Sequence, residues 1–377
     1  MNPGNKETEE IGLLDRFRKS WFPPVAVVGA FTAFVAAIFR VRPAPKTNPQ
    51  TTEPAGRPRP PEQSFSIAAP RVELEREYSR SAVLGGSAST NPFRRSLAGV
   101  AIGAGDKIYA LSDDQVRIFE PNGDFVQGWR VPQNASCLTV GPDGYVYVGT
   151  RGHVEIYDAA GGRIGGFAAG EKDEAADITA LKIFRKEVLV ADAAARLIRR
   201  YDSSGRQLGV IGINNKTGSF ILPNKWLDFD VNSEGTIGAT DTGRHLVTAW
   251  ALDGSPLGSF GKFGMSNPED FVGCCNPVNL ASTPDGKVVT GEKMVARVKV
   301  YEPDGKLLAV IGPENFDPNC IHIHLAVDSR GRILAADPVR RQVSIFSLVA
   351  KTGLDKRSST RGIHPSIDGK RGELERV

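Results

Sequence analysis

The stretch from Asn276 to Gly312, NPVNLASTPDGKVVTGEKMVARVKVYEPDGKLLAVIG, most constrains what this chain can fold into. It divides into four short apolar runs: Val278 to Thr283, Lys287 to Gly291, Arg297 to Tyr301 and Leu307 to Ile311. Pro284-Asp285-Gly286 and Pro303-Asp304-Gly305 stand at two of the breaks, and Asp-Gly between alternating apolar runs is a strong hairpin signal. A single four-stranded meander of this kind leaves an apolar face unburied, so it needs copies of itself alongside. Five further copies align on their turns, at Gly99 to Pro132, Ala135 to Gly170, Asp177 to Ile213, Trp226 to Gly264 and Cys320 to Leu348. Six four-stranded repeats predict an all-β, six-bladed β-propeller spanning about 71–350.

The recurring pattern is an apolar strand, x-x-Gly, a second strand ending Ala-Asp, then Arg/Val-x-Ile/Val-Tyr/Phe, x-x-Gly and Leu-x-x-Ile-Gly. Val188 to Gly212 and Leu325 to Phe346 show it most fully. It resembles the NHL-repeat family of six-bladed propellers. That resemblance implies the fold and leaves the activity open, because such propellers include scaffolds, receptors, lyases and lactonases.

The sixth copy stops after its third strand, where Ser347-Leu348-Val349 runs into Lys351-Thr352-Gly353. A ring lacking one strand exposes sheet edges, so the missing strand is expected from the segment ahead of the first repeat. Arg71 to Tyr78 has the required alternation, and Ser81 to Leu84 is the second candidate.

Ahead of the repeats, residues 1–20 are polar, and Trp21 to Phe39 is uncharged and near the lower length limit for crossing a bilayer. An uncleaved transmembrane signal anchor over 21–39 is the expectation, with a cleaved signal peptide as the alternative. Lys and Arg flank both ends about equally, so the charge rule gives little orientation. The large domain is expected on the extracytoplasmic side because long domains translocate largely regardless of charge. Residues 40–70 form a Pro-rich linker and 351–377 a polar tail. Residues 1–98 hold 14 Lys and Arg against 9 Asp and Glu, and the tail holds 7 against 4. Residues 99–350 hold 26 against 30, and that acidic balance without basic clustering argues against nucleic acid as a partner.

Four cysteines, Cys137, Cys274, Cys275 and Cys320, lie at or just before first strands of three repeats, and His322 and His324 follow Cys320 at alternate positions. Three readings are compatible with them. One is a disulfide from Cys274 or Cys275 to Cys320, and another is a set of small core residues. The third is a soft-metal or redox centre built from the thiols and imidazoles. Lys225, Glu292, Lys293 and Arg297 are the candidate rim patch for an anionic ligand, with Glu292 standing where other repeats carry Asp192, Asp241 and Asp337. Those aspartates are expected to accept turn N–H groups. A calcium-dependent lactonase-like site would need converging oxygens, for which Asn279, Asp228 and Glu292 are the nominees. Binding of a protein or small ligand on the propeller rim is the leading functional expectation. A metal or redox accessory role and a metal-dependent lactonase or lyase are the alternatives.

Overall fold

In each repeat the x-x-Gly turn after the third strand decides how one blade meets the next. The turn glycines Gly123, Gly161, Gly205 and Gly305 have φ of 100°, 90°, 83° and 94°, a conformation that costs glycine little. A Cβ on Gly161 would lie 2.5 Å from Trp129, on Gly205 2.4 Å from Phe167, and on Gly305 2.7 Å from Phe260. The outermost strands of blades 1, 2 and 4 thus each pack an aromatic side chain directly over the next blade's turn.

The computed structural model describes residues 74–214 and 218–350. They form a six-bladed propeller of four-stranded antiparallel sheets, each blade in sequential strand order except the last. Blade 1 runs from Leu97 to Arg130, blade 2 from Cys137 to Ala168, and blade 3 from Ile178 to Ile211. Blade 4 runs from Phe229 to Phe260, blade 5 from Asn279 to Ile311, and blade 6 takes His324 to Leu348. Six apolar clusters fill the gaps between neighbouring blades. Each third strand contributes one buried aromatic near its end: Phe119, Tyr157, Tyr201, Trp250, Tyr301 and Phe346.

The fourth strand of blade 6 is Tyr78–Gly85, antiparallel to Gln342–Leu348. Of the two candidate segments, the one containing Ser81 to Leu84 therefore closes the ring. Leu84 sits 2.7 Å from a Cβ built on Gly123, so it takes the place that Trp129, Phe167 and Phe260 hold elsewhere. The described part of the other candidate runs past blade 5, where Arg76 donates its backbone N–H to Leu308 O (2.9 Å) and pairs with Asp285 (2.6 Å).

Because every blade starts at the channel and its strands alternate in direction, two kinds of connection share one face. These are the loops leading into each innermost strand and the turns between second and third strands. We call this the upper face. The expected anchor, linker and tail lie outside the described residues, among which no helix is long and apolar enough to cross a membrane.

Candidate functional site

The aspartates that end the second strands of blades 3, 4 and 6 tie the upper face together, as the sequence predicts. Asp192 accepts N–H groups from Asp177 and Ala195, Asp241 from Ile221, and Asp337 from Asp317, Val339 and Arg340. Glu292 does the same for Val272 (3.2 Å), but its extra methylene carries the carboxylate further inward. There Oε1 pairs with Lys299 Nζ at 2.7 Å and Oε2 with Arg297 at 3.1 Å. The Lys299 ammonium is wholly buried, donates to Asp270 O and Tyr301 Oη, and lies 5.1 Å from the Phe271 ring centroid. Burial pulls its pKa down to about 8 against the opposing pull of Glu292. The candidate rim patch is therefore divided: Glu292 and Arg297 belong to this internal network, while Lys225 is exposed on the rim and Lys293 is half-buried there.

The thiols and imidazoles are divided as well. All four cysteines are free, so the structure holds no Cys274–Cys320 or Cys275–Cys320 bridge. Cys137 is buried in the cluster between blades 2 and 3, and Cys320 in the one between blades 5 and 6. Burial pushes both thiols up to about 12, where the thiolate is scarce at neutral pH. Cys320 donates its S–H to His322 O (2.9 Å) instead of sharing a face with the imidazoles. The cause is local: the innermost strand begins at His324, so the period-two alternation does not extend back to Cys320. Among the described residues no three His, Cys, Asp or Glu side chains are placed to hold a metal ion together.

His322 and His324 do lie together, with ring centroids 6.2 Å apart. Their principal neighbour is Trp226, just before the innermost strand of blade 4, whose ring stacks on His322 at 4.1 Å and meets His324 edge-on at 5.7 Å. The sequence reading did not nominate Trp226. Lys182 was also missed, though a lysine inside the apolar run ITALKIF was a visible signal. Its ammonium sits 3.1 Å from Asp230, and Asn279 donates to Asp228 at 2.8 Å. Asp228 and Asn279, nominees for a lactonase-like oxygen set, thus come together, while Glu292 is committed to Arg297 and Lys299.

The histidine pair makes stability depend on pH. Burial, with Lys293 adding at His322, lowers His322 to about 4 and His324 to about 3. Between about pH 6 and 4 the unfolded chain therefore takes up two protons that the folded chain does not, so acidification favours unfolding. Burial raises Asp228 to about 6, and that group works in the opposite sense. In denaturant titrations the stability advantage of His322→Gln/His324→Gln over wild type is expected to grow by up to about 2.7 kcal/mol per pH unit as pH falls through this window. A difference that stays constant with pH would contradict the assignment of neutral imidazoles.

No family model matches this chain. Among solved structures, it is similar to a protein of unknown function from Bacteroides thetaiotaomicron VPI-5482, with 15% identity, 73% of this chain and 77% of that one covered, and a TM-score of 0.55. It is also similar to the WD40 β-propeller domain of Doa1, with 18% identity, 72% and 97% coverage and a TM-score of 0.47. Virginiamycin B lyase from Staphylococcus aureus gives 12% identity, 72% and 100% coverage and a TM-score of 0.46. At such identities a likeness bears on fold alone.

Proposed function

We propose that this chain is a membrane-anchored, NHL-type propeller that docks a protein partner on its upper face, over blades 4 to 6, on the extracytoplasmic side. The observation that carries the docking is an asymmetry between the two faces. Large apolar side chains exposed in loops and turns of blades 4 to 6 include Ile221, Phe263, Met265, Met294, Ile321 and Val339, all on the upper face. On the lower face the corresponding positions among the described residues expose Tyr145 and, past the third strand of blade 6, Val349.

Several of these side chains form a connected strip. Ile221 lies against Gly243, the Phe263 ring is 5.2 Å from His245, and His245 Nε2 is 2.8 Å from Gly273 O, above which Met294 is folded. Contiguous exposed apolar surface of this kind marks an interaction site, and loops on a rigid scaffold are where such sites concentrate. Lys225 and Lys293 border the strip and have no carboxylate partner among the described residues. The fitting occupant is an apolar protein segment that carries acidic residues. The anchor rests on the uncharged run from Trp21 to Phe39, and the family assignment on the repeat signature.

The test is site-specific photocrosslinking of the full-length chain in cells that make it. A crosslinker at position 263 is expected to capture one defined partner that is lost in Lys225→Glu/Lys293→Glu, while the same group at position 145 captures none. Equal capture from both positions, or none from 263, would sink the docking proposal. The anchor is tested separately: deleting 21–39 should release the protein from membranes washed with alkaline carbonate.

A further inference from the structure

Two rim segments of blade 5, twenty residues apart in sequence, are clamped by one buried side chain. Asn276 donates its amide to Val272 O (2.5 Å) and Lys293 O (3.0 Å), and its Oδ1 accepts the Lys293 N–H (2.9 Å). These bonds hold the loop carrying Cys274 and Cys275 against the turn carrying Met294. The loop's other side is fixed where His245 Nε2 meets Gly273 O at 2.8 Å. Gly273 has φ +73°, and a Cβ there would lie 2.4 Å from Met294 Sδ, so the thioether lies over the glycine that precedes Cys274 and Cys275.

Accessibility separates Cys274 from the other thiols. Cys274 is exposed and Met294 is 61% exposed, while Cys275, the next residue, is buried in the rim loop and Cys137 and Cys320 are buried between blades. Two thiols and a thioether are a soft donor set. Thioether sulfur is a poor ligand for zinc or the hard divalent ions and a good one for Cu(I). We propose that Cys274, Cys275 and Met294 form a three-sulfur binding site for Cu(I) on the rim of blade 5.

Loading replaces two S–H protons with one Cu(I): two thiols and one Cu⁺ give a bis-thiolate complex of net charge −1, and two protons leave to solvent. No electrons are transferred in that step. Burial and the adjoining Cys274 thiol hold the Cys275 thiol above the ordinary cysteine range, while the Lys293 ammonium pulls it the other way. The same ammonium is placed to offset the complex's negative charge. Neither imidazole of the channel mouth is needed, and the site does not depend on the docking proposal, since it is assayed without a partner.

The experiment is an anaerobic titration of the full-length reduced chain with Cu(I), in competition with the chromophoric chelator bathocuproine disulfonate. Wild type is expected to retain one equivalent, and Cys274→Ser to retain none. Met294→Leu should bind at least about tenfold more weakly, no less than the loss of an outer-shell partner typically costs. Cys137→Ser and Cys320→Ser should bind as wild type does. Cys274 and Met294 are surface side chains, so their variants should keep the wild-type circular dichroism. Failure of wild type to hold copper against the chelator would overturn the proposal, as would retention by Cys274→Ser/Met294→Leu or tighter binding of Zn(II) than of Cu(I).

Discussion

A chain beginning at residue 86 is expected not to fold into a stable propeller, whereas one beginning at residue 74 should unfold in a single cooperative transition. The segment removed contains Tyr78–Gly85, the fourth strand of blade 6 among the described residues. Its pairing runs from Tyr78 opposite Leu348 to Gly85 opposite Gln342, and Leu84 is buried with Phe93, Leu97 and Val343 where blade 6 meets blade 1. Each lost intramolecular hydrogen bond costs about 1 kcal/mol, and removing the Leu84 side chain alone costs about 2–5 kcal/mol. Together these are comparable with the roughly 5–15 kcal/mol that stabilise a typical domain. Losing the strand also leaves Gln342–Leu348 as an open sheet edge, so aggregation should accompany the loss of stability. Thermal melts and limited proteolysis of the two chains decide the matter. A 86–377 chain that melts like the 74–377 chain would show that the ring closes without this strand.

Glu292→Ala is expected to destabilise the propeller by about 3–5 kcal/mol, because it leaves the buried Lys299 ammonium without its counter-charge. Lys299→Met should cost much less. Glu292 keeps Arg297 and the Val272 N–H in that variant, and a methionine of similar length fills the space against Phe271 and Tyr301. The double variant Glu292→Gln/Lys299→Met should fall between the two, since a neutral amide still reaches Val272 and the Lys299 charge is gone, while the Arg297 guanidinium loses its carboxylate. Chemical denaturation of the three proteins tests the ranking. If Glu292→Ala were as mild as Lys299→Met, the carboxylate would not be what keeps Lys299 buried. The arrangement has a counterpart in blade 3, where Asp192 accepts loop N–H groups and pairs with Arg199 of the third strand at 2.8 Å, as Glu292 does with Val272 and Lys299.

Sequence alone determined the blades. Period-two apolar runs and x-x-Gly turns are local, each blade repeats them, and six copies of a unit that cannot bury its own face leave little besides a ring. The neighbourhood of His322 and His324 was expected from strand alternation, but His322 precedes the strand that begins at His324, and it is the loop that brings the two rings within 6.2 Å. Tertiary structure decided what local period cannot carry. Arg71 to Tyr78 and Ser81 to Leu84 both alternate, and only the cleft beside Gly123 selected Leu84 as the residue that closes the ring. Cys320 lies before its strand begins, so its thiol went into a core while the imidazoles went to the channel mouth. The turn carrying Met294 met the loop carrying Cys274 and Cys275 through the Asn276 clamp, a contact between loops that no spacing in the sequence encodes. Strands are specified by the burial pattern along the chain, whereas the upper face is assembled from loops whose mutual positions exist only once the blades have packed.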